Sequence, residues 1–164
     1  MFQRNYWQFS GTDNASSQAG ATPPAQTANM VWLREPDLTQ FVYSTFHGRW
    51  IGPRETIQFG AKSSHNALLS FRNNEYGSSV RGYEPDEAKL IVGISLAGEG
   101  SPNKQFTLLH NGNPLQLFTL SAGRFLSTNL AFEIAYGDVI QIRSEATNSP
   151  ITDVVGALLV RPIV

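Results

Sequence analysis

Three histidines are the residues of this 164-residue chain whose chemistry is most versatile. His47, His65 and His110 stand far apart, and none has another histidine or a cysteine at the spacing of a metal-binding motif. His110 borders a predicted turn, where an exposed side chain is the plain expectation. The sequence therefore predicts no histidine metal centre unless the fold brings all three rings together.

An acidic loop is the second candidate for chemistry. Glu84, Asp86 and Glu87 offer three carboxylates, and carboxylate oxygens are the ligands that a hard cation such as calcium prefers. Pro85 stiffens the loop but supplies no side-chain ligand, and tight binding needs a closed cage of oxygens. A solvated loop is the simpler interpretation, so we expect neither a bound metal nor a cofactor.

Signals for catalysis are weak elsewhere in the chain. There is no cysteine, and no serine stands in the Gly-x-Ser-x-Gly pattern of an activated nucleophile. Gly98-Glu99-Gly100 has glycines like those of a phosphate-binding loop, but no predicted helix follows to offer its N–H groups. Glu133 alternates outward on a strand and is more simply solvent-facing than half of a glycosidase pair. We expect a protein that is not an enzyme.

The charge composition argues against nucleic acid and anionic membranes as partners. The chain has 12 basic and 13 acidic residues, so it lacks the basic surface that binds nucleic acid or an anionic membrane. It has no apolar run of about twenty residues, the length that a transmembrane helix needs. Charged residues make up only 15% of the chain, below the usual quarter, which favours a surface partly hidden in an oligomer.

Short strands must position these residues, because no segment shows helical periodicity longer than a turn. Asn111-Gly112 lies between two alternating apolar runs and predicts a hairpin. Residues 130–135 and 139–143 alternate on either side of Gly137-Asp138 and predict a second hairpin. Residues 154–160 are apolar at nearly every position, which favours a strand covered on both faces. The pattern indicates an all-β fold, an antiparallel β-sandwich of jelly-roll type.

The first 29 residues differ in composition from the predicted sandwich domain at 30–164. Residues 11–29 are almost wholly small, polar or proline, which predicts a flexible N-terminal arm. The arm carries four large aromatics near its start, which would be an aggregation hazard if left exposed. We expect them to dock on a neighbouring subunit or a larger assembly; the alternative is that they fold back onto their own domain. These aromatics are Phe2, Tyr6, Trp7 and Phe9.

Three patterns within residues 88–164 point to a known family. Residues 106–115 contain a strand, an Asn-Gly turn and a strand; 132–142 contain a Gly-Asp turn before a strand; 155–159 contain a small residue and glycine before bulky aliphatics. Together they resemble the C1q and tumour-necrosis-factor-like family of trimeric jelly rolls. The resemblance implies a homotrimer with the final strand on the threefold axis. The implied interface residues are Val155, Ala157, Leu158 and Leu159.

A trimeric β-sandwich with a low-complexity arm and no signal peptide is also similar to phage virion proteins. That likeness implies a capsid decoration (cement) or head-fibre protein, made in the host cytoplasm, whose arm anchors it to a major capsid protein or another virion protein on the particle surface. The alternative is the receptor- or glycan-binding head of a tail fibre. In that case Tyr76 and Tyr83, in a long polar loop, would contact a host-surface glycan.

Overall fold

The computed structural model of the protein describes residues 17–20, 22–23, 25, 31–35, 37–71, 82–100, 103–127, 129–147 and 150–164. Within these ranges every element is a strand, the connections are turns, bends and irregular segments, and there is no helix, so the predicted all-β class is confirmed. The chain divides into two compact units. One unit contains the chain up to Arg54 together with Arg161–Val164, and the other contains Glu55–Val160.

The smaller unit is built on one four-stranded sheet in the order β1-β2-β3-β4. Its strands are β1 (Ser17–Gly20), β2 (Val31–Arg34), β3 (Thr39–Ser44) and β4 (Arg49–Ile51). One face of this sheet buries three aromatic side chains, Trp32, Phe41 and Trp50, and the two indoles meet edge to face with ring centroids 6.1 Å apart. Aromatic pairs in this geometry stabilise a core beyond the area they bury.

The strand β1 lies inside the segment that the composition predicts to be a flexible arm. It pairs with β2 in parallel, and the carbonyl of Gly20 accepts hydrogen bonds from the Trp32 indole at 3.0 Å and from the Glu35 amide at 3.1 Å. The described part of the sheet therefore begins at Ser17, well before the predicted domain boundary at residue 30. Residues 1–16, with the four aromatics, lie outside the described residues.

The larger unit is a sandwich of two sheets. Its strands are β5 (Glu55–Ser64), β6 (Ala67–Leu68), β7 (Ser70–Phe71), β8 (Lys89–Glu99), β9 (Gln105–His110), β10 (Asn113–Thr119), β11 (Arg124–Ser127), β12 (Phe132–Ile134), β13 (Ile140–Ser144) and β14 (Ile151–Pro162), whose last residues belong to the smaller unit. One sheet has the order β10-β9-β13-β6. The other has the order β11-β8-β14-β5-β7, with β12 also paired to β8.

A single apolar core fills the space between the two sheets. Ile91, Ile94 and Leu158 contribute from one sheet, and Leu108 and Ile142 from the other, each with no exposed surface. Alternate residues of a regular strand point to the same face, as Ile94 and Leu96 of β8 do, and Ile91, three residues before Ile94, also reaches the core. This arrangement is an antiparallel β-sandwich, as the strand patterns predicted.

Gly156 of β14 leaves room for a side chain of the neighbouring strand β5. A Cβ atom at this position would lie 2.4 Å from the Phe59 ring on the paired strand β5 and 2.7 Å from the Ser95 carbonyl oxygen on β8. The Phe59 side chain therefore occupies the space over Gly156, an aromatic covering a glycine of the adjacent strand. Only glycine fits here without a shift of the neighbours.

The two predicted turns form as turns, but only one closes a hairpin. Asn111 and Gly112 have φ angles of 51° and 79° and join β9 to β10, as expected for a tight hairpin turn with two left-handed residues. The Gly137-Asp138 turn instead carries the chain from β12, which pairs with β8, to β13, which pairs with β9 and β6. The predicted second hairpin is therefore wrong, because these strands belong to different sheets.

Hydrogen bonds between the two turns, which we call the turn clasp, explain this crossing. The Asp138 carboxylate accepts from the Ala135 amide at 2.7 Å and from Asn111 Nδ2 at 2.8 Å, and it lies 3.0 Å from His110 Nε2. The Asn111 side chain in turn accepts from the Val139 amide at 2.7 Å. The Val139 amide, just before β13, is therefore satisfied by the Asn111 side chain rather than by β12, and the Ile140 amide donates to the Tyr83 carbonyl.

We predict that the clasp makes stability depend on pH in the acid range. The Ala135 amide, with Asn111 and His110, lowers the pKa of Asp138 from 3.8 to about 2. Since the folded-state pKa is the lower one, the carboxylate stabilises the fold above about pH 4, and this contribution disappears as pH falls towards 2. Asp138→Ala should cost roughly 1–3 kcal/mol at neutral pH and much less at pH 2.

Urea unfolding at several pH values, for the wild type and Asp138→Ala, measures this difference. Glu84→Gln, which neutralises an exposed carboxylate, is the control and should leave the curve unchanged. A stability difference between wild type and Asp138→Ala that stays constant down to pH 2 would contradict the assignment.

Candidate functional site

The strand β14 has one core face and one outward face in the single chain, so the prediction that both faces are covered depends on contact with another subunit. Leu158 is completely buried in the core of its own sandwich, whereas Val155 keeps 62% of its surface exposed. Ala157 and Leu159 are half-buried and alternate with Leu158 on the side of Val155. Of the four residues predicted at a trimer interface, Val155, Ala157 and Leu159 can contact another subunit and Leu158 cannot.

A groove crosses the outward face of this sheet and has a volume of about 990 Å³. We call it the sheet groove. Its floor contains outward residues of adjacent strands, Ser95 and Ala97 of β8, Ala157 of β14 and Gly60 of β5. These side chains are small, so the surface is hollow where most sheets carry larger residues.

Apolar side chains border the sheet groove. Leu126 of β11 is 67% exposed and pairs with Ser95, and Val155 of β14 pairs with Gly60. Among the described residues that line the groove, Arg124 is the one charged side chain. A hollow apolar surface with little charge is suited to contact with another apolar surface, because both lose water on association.

Each histidine has its own neighbours in the structure. His110 belongs to the turn clasp, His65 Nδ1 lies 3.2 Å from Lys104 Nζ, and the His47 ring packs edge to face on Phe46. Across the described ranges, no group of three or more histidine, aspartate or glutamate side chains is arranged to hold a metal ion.

Asp86 in the acidic loop is part of an ion-pair network. The ammonium group of Lys89 lies 2.8 Å from Asp86 and 2.6 Å from Glu55, and the Lys89 residue is only 4% exposed. Burial alone would lower the pKa of Lys89, but the hydrogen bonds to both carboxylates outweigh it and raise the pKa. The hydrogen bond from Lys89 likewise lowers the pKa of Asp86. This carboxylate therefore neutralises a buried cation of the same chain.

Tyr83 supports the sandwich rather than presenting a free surface. Its backbone amide donates to Ile140 at 2.8 Å and its carbonyl accepts from Ile140 at 2.9 Å, while its ring packs near Phe71. Its hydroxyl is buried beside the Lys89 ammonium, and no described residue makes a hydrogen bond of ordinary geometry to it. Tyr83 is therefore half-buried in the sandwich, and its contact with a glycan stays a prediction. Tyr76, the other predicted contact, lies outside the described residues, as do the arm aromatics.

Two exposed aromatic rings were missed by the sequence analysis. Phe46, in the turn between β3 and β4, is 85% exposed, and Tyr136, in the turn after β12, is 81% exposed. Each stands one or two residues before a glycine with positive φ, Gly48 or Gly137. A large aromatic beside a turn glycine is the sequence signal that could have identified both, because turns project their side chains into solvent.

We predict that Tyr83→Phe leaves the protein at least as stable as the wild type. A buried hydroxyl without a partner carries a desolvation penalty of about 1–3 kcal/mol, and phenylalanine removes it while keeping the ring. Burial also raises the pKa of Tyr83, so the group stays neutral at physiological pH. Urea unfolding at neutral pH measures the change, with Tyr136→Phe as an exposed control. A loss of more than about 1 kcal/mol would show that the hydroxyl has a partner.

Comparison of the chain with family models, with curated proteins and with solved structures gives no match. The described residues also include no helix long and apolar enough to cross a membrane. The surfaces of the chain itself, above all the sheet groove and the two exposed rings, are therefore the basis for a functional argument.

Proposed function

We propose that this protein is a structural virion protein, a capsid decoration or head-fibre protein that attaches to the surface of a phage particle as a homotrimer. The observation that carries the proposal is the sheet groove, with Val155 62% exposed at the centre of a sandwich sheet. Its partners are two further copies of the same chain, and a major capsid protein or another virion protein.

A second copy of the same chain is the partner that suits the sheet groove. The groove is apolar and almost uncharged, and exposed apolar patches of this kind mark interaction sites. A stable interface buries about 800 Å² on each partner, which the groove can reach only together with the surface around it. Leu159, further along β14, would extend the surface that Val155 and Leu126 border. Identical copies related by a closed rotation can bury this face in every subunit.

The sequence is the support for two parts of the proposal, the threefold symmetry and the attachment to a particle surface. The turn and strand patterns in residues 88–164 resemble trimeric jelly rolls, whose last strand lies near the axis, and β14 is the last strand here. The aromatic residues Phe2, Tyr6, Trp7 and Phe9 are of the type that anchors interfaces most strongly. Together these features favour a trimer that reaches a larger assembly through its N-terminal residues.

A glycan-binding head is the second candidate function, and the exposed rings favour it. Tyr136 and Phe46 present aromatic faces to solvent, and such faces stack on the apolar side of a sugar ring. A glycan array with the wild type and Tyr136→Ala separates the two functions. Binding that Tyr136→Ala abolishes supports the adhesin, and an absence of binding by the wild type removes it.

We predict that Val155→Asp separates the subunits without unfolding them. Aspartate at an exposed position costs the single chain little, but in an interface it would be an unpaired buried charge, so the association constant should fall by at least about a hundredfold. Sedimentation equilibrium at micromolar concentration measures the mass. Thr152→Asp, an exposed residue of the same strand outside the sheet groove, is the matched control.

A wild type that sediments only as an 18.0 kDa monomer would overturn the trimer. A trimer that Val155→Asp leaves intact would place the interface on another face. Leu158→Asp is not a useful test, because that side chain belongs to the core and its loss unfolds the chain whether or not a trimer exists.

We predict that deleting residues 1–16 abolishes attachment to particles and leaves the fold and the trimer intact. This truncation stops before β1, so the described sheet of the smaller unit stays complete. Co-sedimentation of the truncated protein with particles, against the full chain, measures attachment. A control that replaces Phe2, Tyr6, Trp7 and Phe9 by serine should lose attachment equally. Full occupancy by either variant would show that the anchor lies elsewhere.

A further inference from the structure

Asn111-Gly112 is the one Asn-Gly pair in the sequence, and this dipeptide is chemically reactive. Glycine has no Cβ, so its backbone nitrogen can approach the preceding asparagine. The Gly112 nitrogen attacks Asn111 Cγ, a C–N bond forms, and Nδ2 leaves as ammonia with the proton of the Gly112 amide. Water then opens the cyclic imide at either carbonyl and leaves aspartate or isoaspartate at position 111.

The turn clasp holds the reacting amide at both ends. Asn111 Oδ1 accepts from the Val139 amide at 2.7 Å, and Nδ2 donates to Asp138 Oδ1 at 2.8 Å. The Asn111 backbone amide also donates to the Val139 carbonyl at 2.8 Å, which fixes the turn itself. Attack by Gly112 requires Cγ to rotate onto the backbone nitrogen, and that rotation breaks both side-chain hydrogen bonds. The reaction therefore proceeds only from molecules in which the clasp has opened.

We propose that Asn111 is a deamidation site whose rate is set by opening of the turn clasp and whose product prevents the clasp from closing again. The product places a carboxylate where the amide donated to Asp138. Two carboxylates at hydrogen-bond distance repel each other, and the donor between them is gone. Isoaspartate also adds a backbone atom to a two-residue turn, whose geometry tolerates little change. The modification converts a reversible opening into a permanent one.

The titratable group beside the clasp cannot compensate for the second carboxylate that deamidation creates. His110 Nε2 lies 3.0 Å from Asp138 and 3.3 Å from Asn111 Nδ2, so one imidazole faces both side chains. It can neutralise one carboxylate but not two. The site is exposed to the water that the second step consumes, since Asn111 and Gly112 are both exposed.

Peptide mapping by mass spectrometry tests the first half of the proposal. The full chain is incubated at mildly alkaline pH, folded and in concentrated urea, and aspartate plus isoaspartate at position 111 are counted over time. We expect the folded wild type to react at least about tenfold more slowly than the unfolded chain, which corresponds to a clasp closed by about 1.4 kcal/mol or more. Asp138→Ala removes one of the two side-chain hydrogen bonds of Asn111 and keeps the one from the Val139 amide, so when folded it should react several-fold faster than the wild type but more slowly than the unfolded chain.

A matched control separates the clasp from global stability. Ser144→Ala removes buried hydrogen bonds to Ser64 and Ala67 at the other end of β13, away from the clasp. It should destabilise the fold and leave the folded rate at Asn111 unchanged. A wild type that reacts equally fast folded and unfolded overturns the proposal, and so does a Ser144→Ala variant that accelerates as much as Asp138→Ala.

Substitutions that imitate the product test the second half. Asn111→Asp should lower the melting temperature by several degrees, the shift expected when a small domain loses a hydrogen bond and gains a repulsive pair. Adding Asp138→Asn to that variant exchanges donor and acceptor and should restore most of the loss. An Asn111→Asp variant that melts like the wild type, or a double variant that melts no higher, would show that the product leaves the clasp closed.

Discussion

The arrangement of the larger unit depends on hydrogen bonding of β14 in the middle of a sheet. This strand lies between β8 and β5, and β12, β11 and β7 are added to those neighbours. Its inward residues, including Val154 and Leu158, form part of the apolar core. Because a central strand has no free edge, its outward residues face solvent over the middle of the sheet. The core and the sheet groove are therefore opposite faces of one strand.

Two buried lysines are a second constraint on the fold, in a chain that has few charged residues. The chain contains three lysines, and two of them are buried: Lys89 is 4% exposed and Lys104 is fully buried. Lys104 donates to the Thr147 carbonyl at 2.8 Å and lies beside His65, and its burial lowers its pKa. A buried ammonium is tolerated only when oxygen or nitrogen partners replace its water. Each lysine thus fixes the loop residues that surround it.

Local sequence signals predicted the parts of the fold that depend on local contacts. The Asn111-Gly112 hairpin was predicted correctly, because its two strands are joined by the turn that defines it. The turn at Gly137-Asp138 was found, but its strands go to different sheets, since pairing with β8 and β9 depends on residues far away in the chain. Ser17–Gly20 has no hydrophobic pattern, and it is held to β2 by parallel backbone pairing and by the Trp32 indole.

The candidate site was predicted less completely for the same reason. The run at 154–160 identified β14 but not which side chains face outward, so Leu158 was placed with Val155. The polar neighbours of Tyr83 in the sequence predict an exposed side chain, although its ring packs near Phe71. The sheet groove has no linear signature, because its floor is assembled from small residues of separate strands. Composition predicts an association surface, and the strand register identifies the groove that we propose for it.

Pairing of β5 with β14 also determines when the larger unit can fold. These are the first and last strands of that unit, and nine pairs of residues, from Ile151 with Ser64 to Val160 with Glu55, join them. Contacts between such distant segments slow folding, because a long loop must close before they form. During synthesis β5 and β8 leave the ribosome without the strand that separates them. The sheet therefore stays open, with unpaired edges, until β14 has been made.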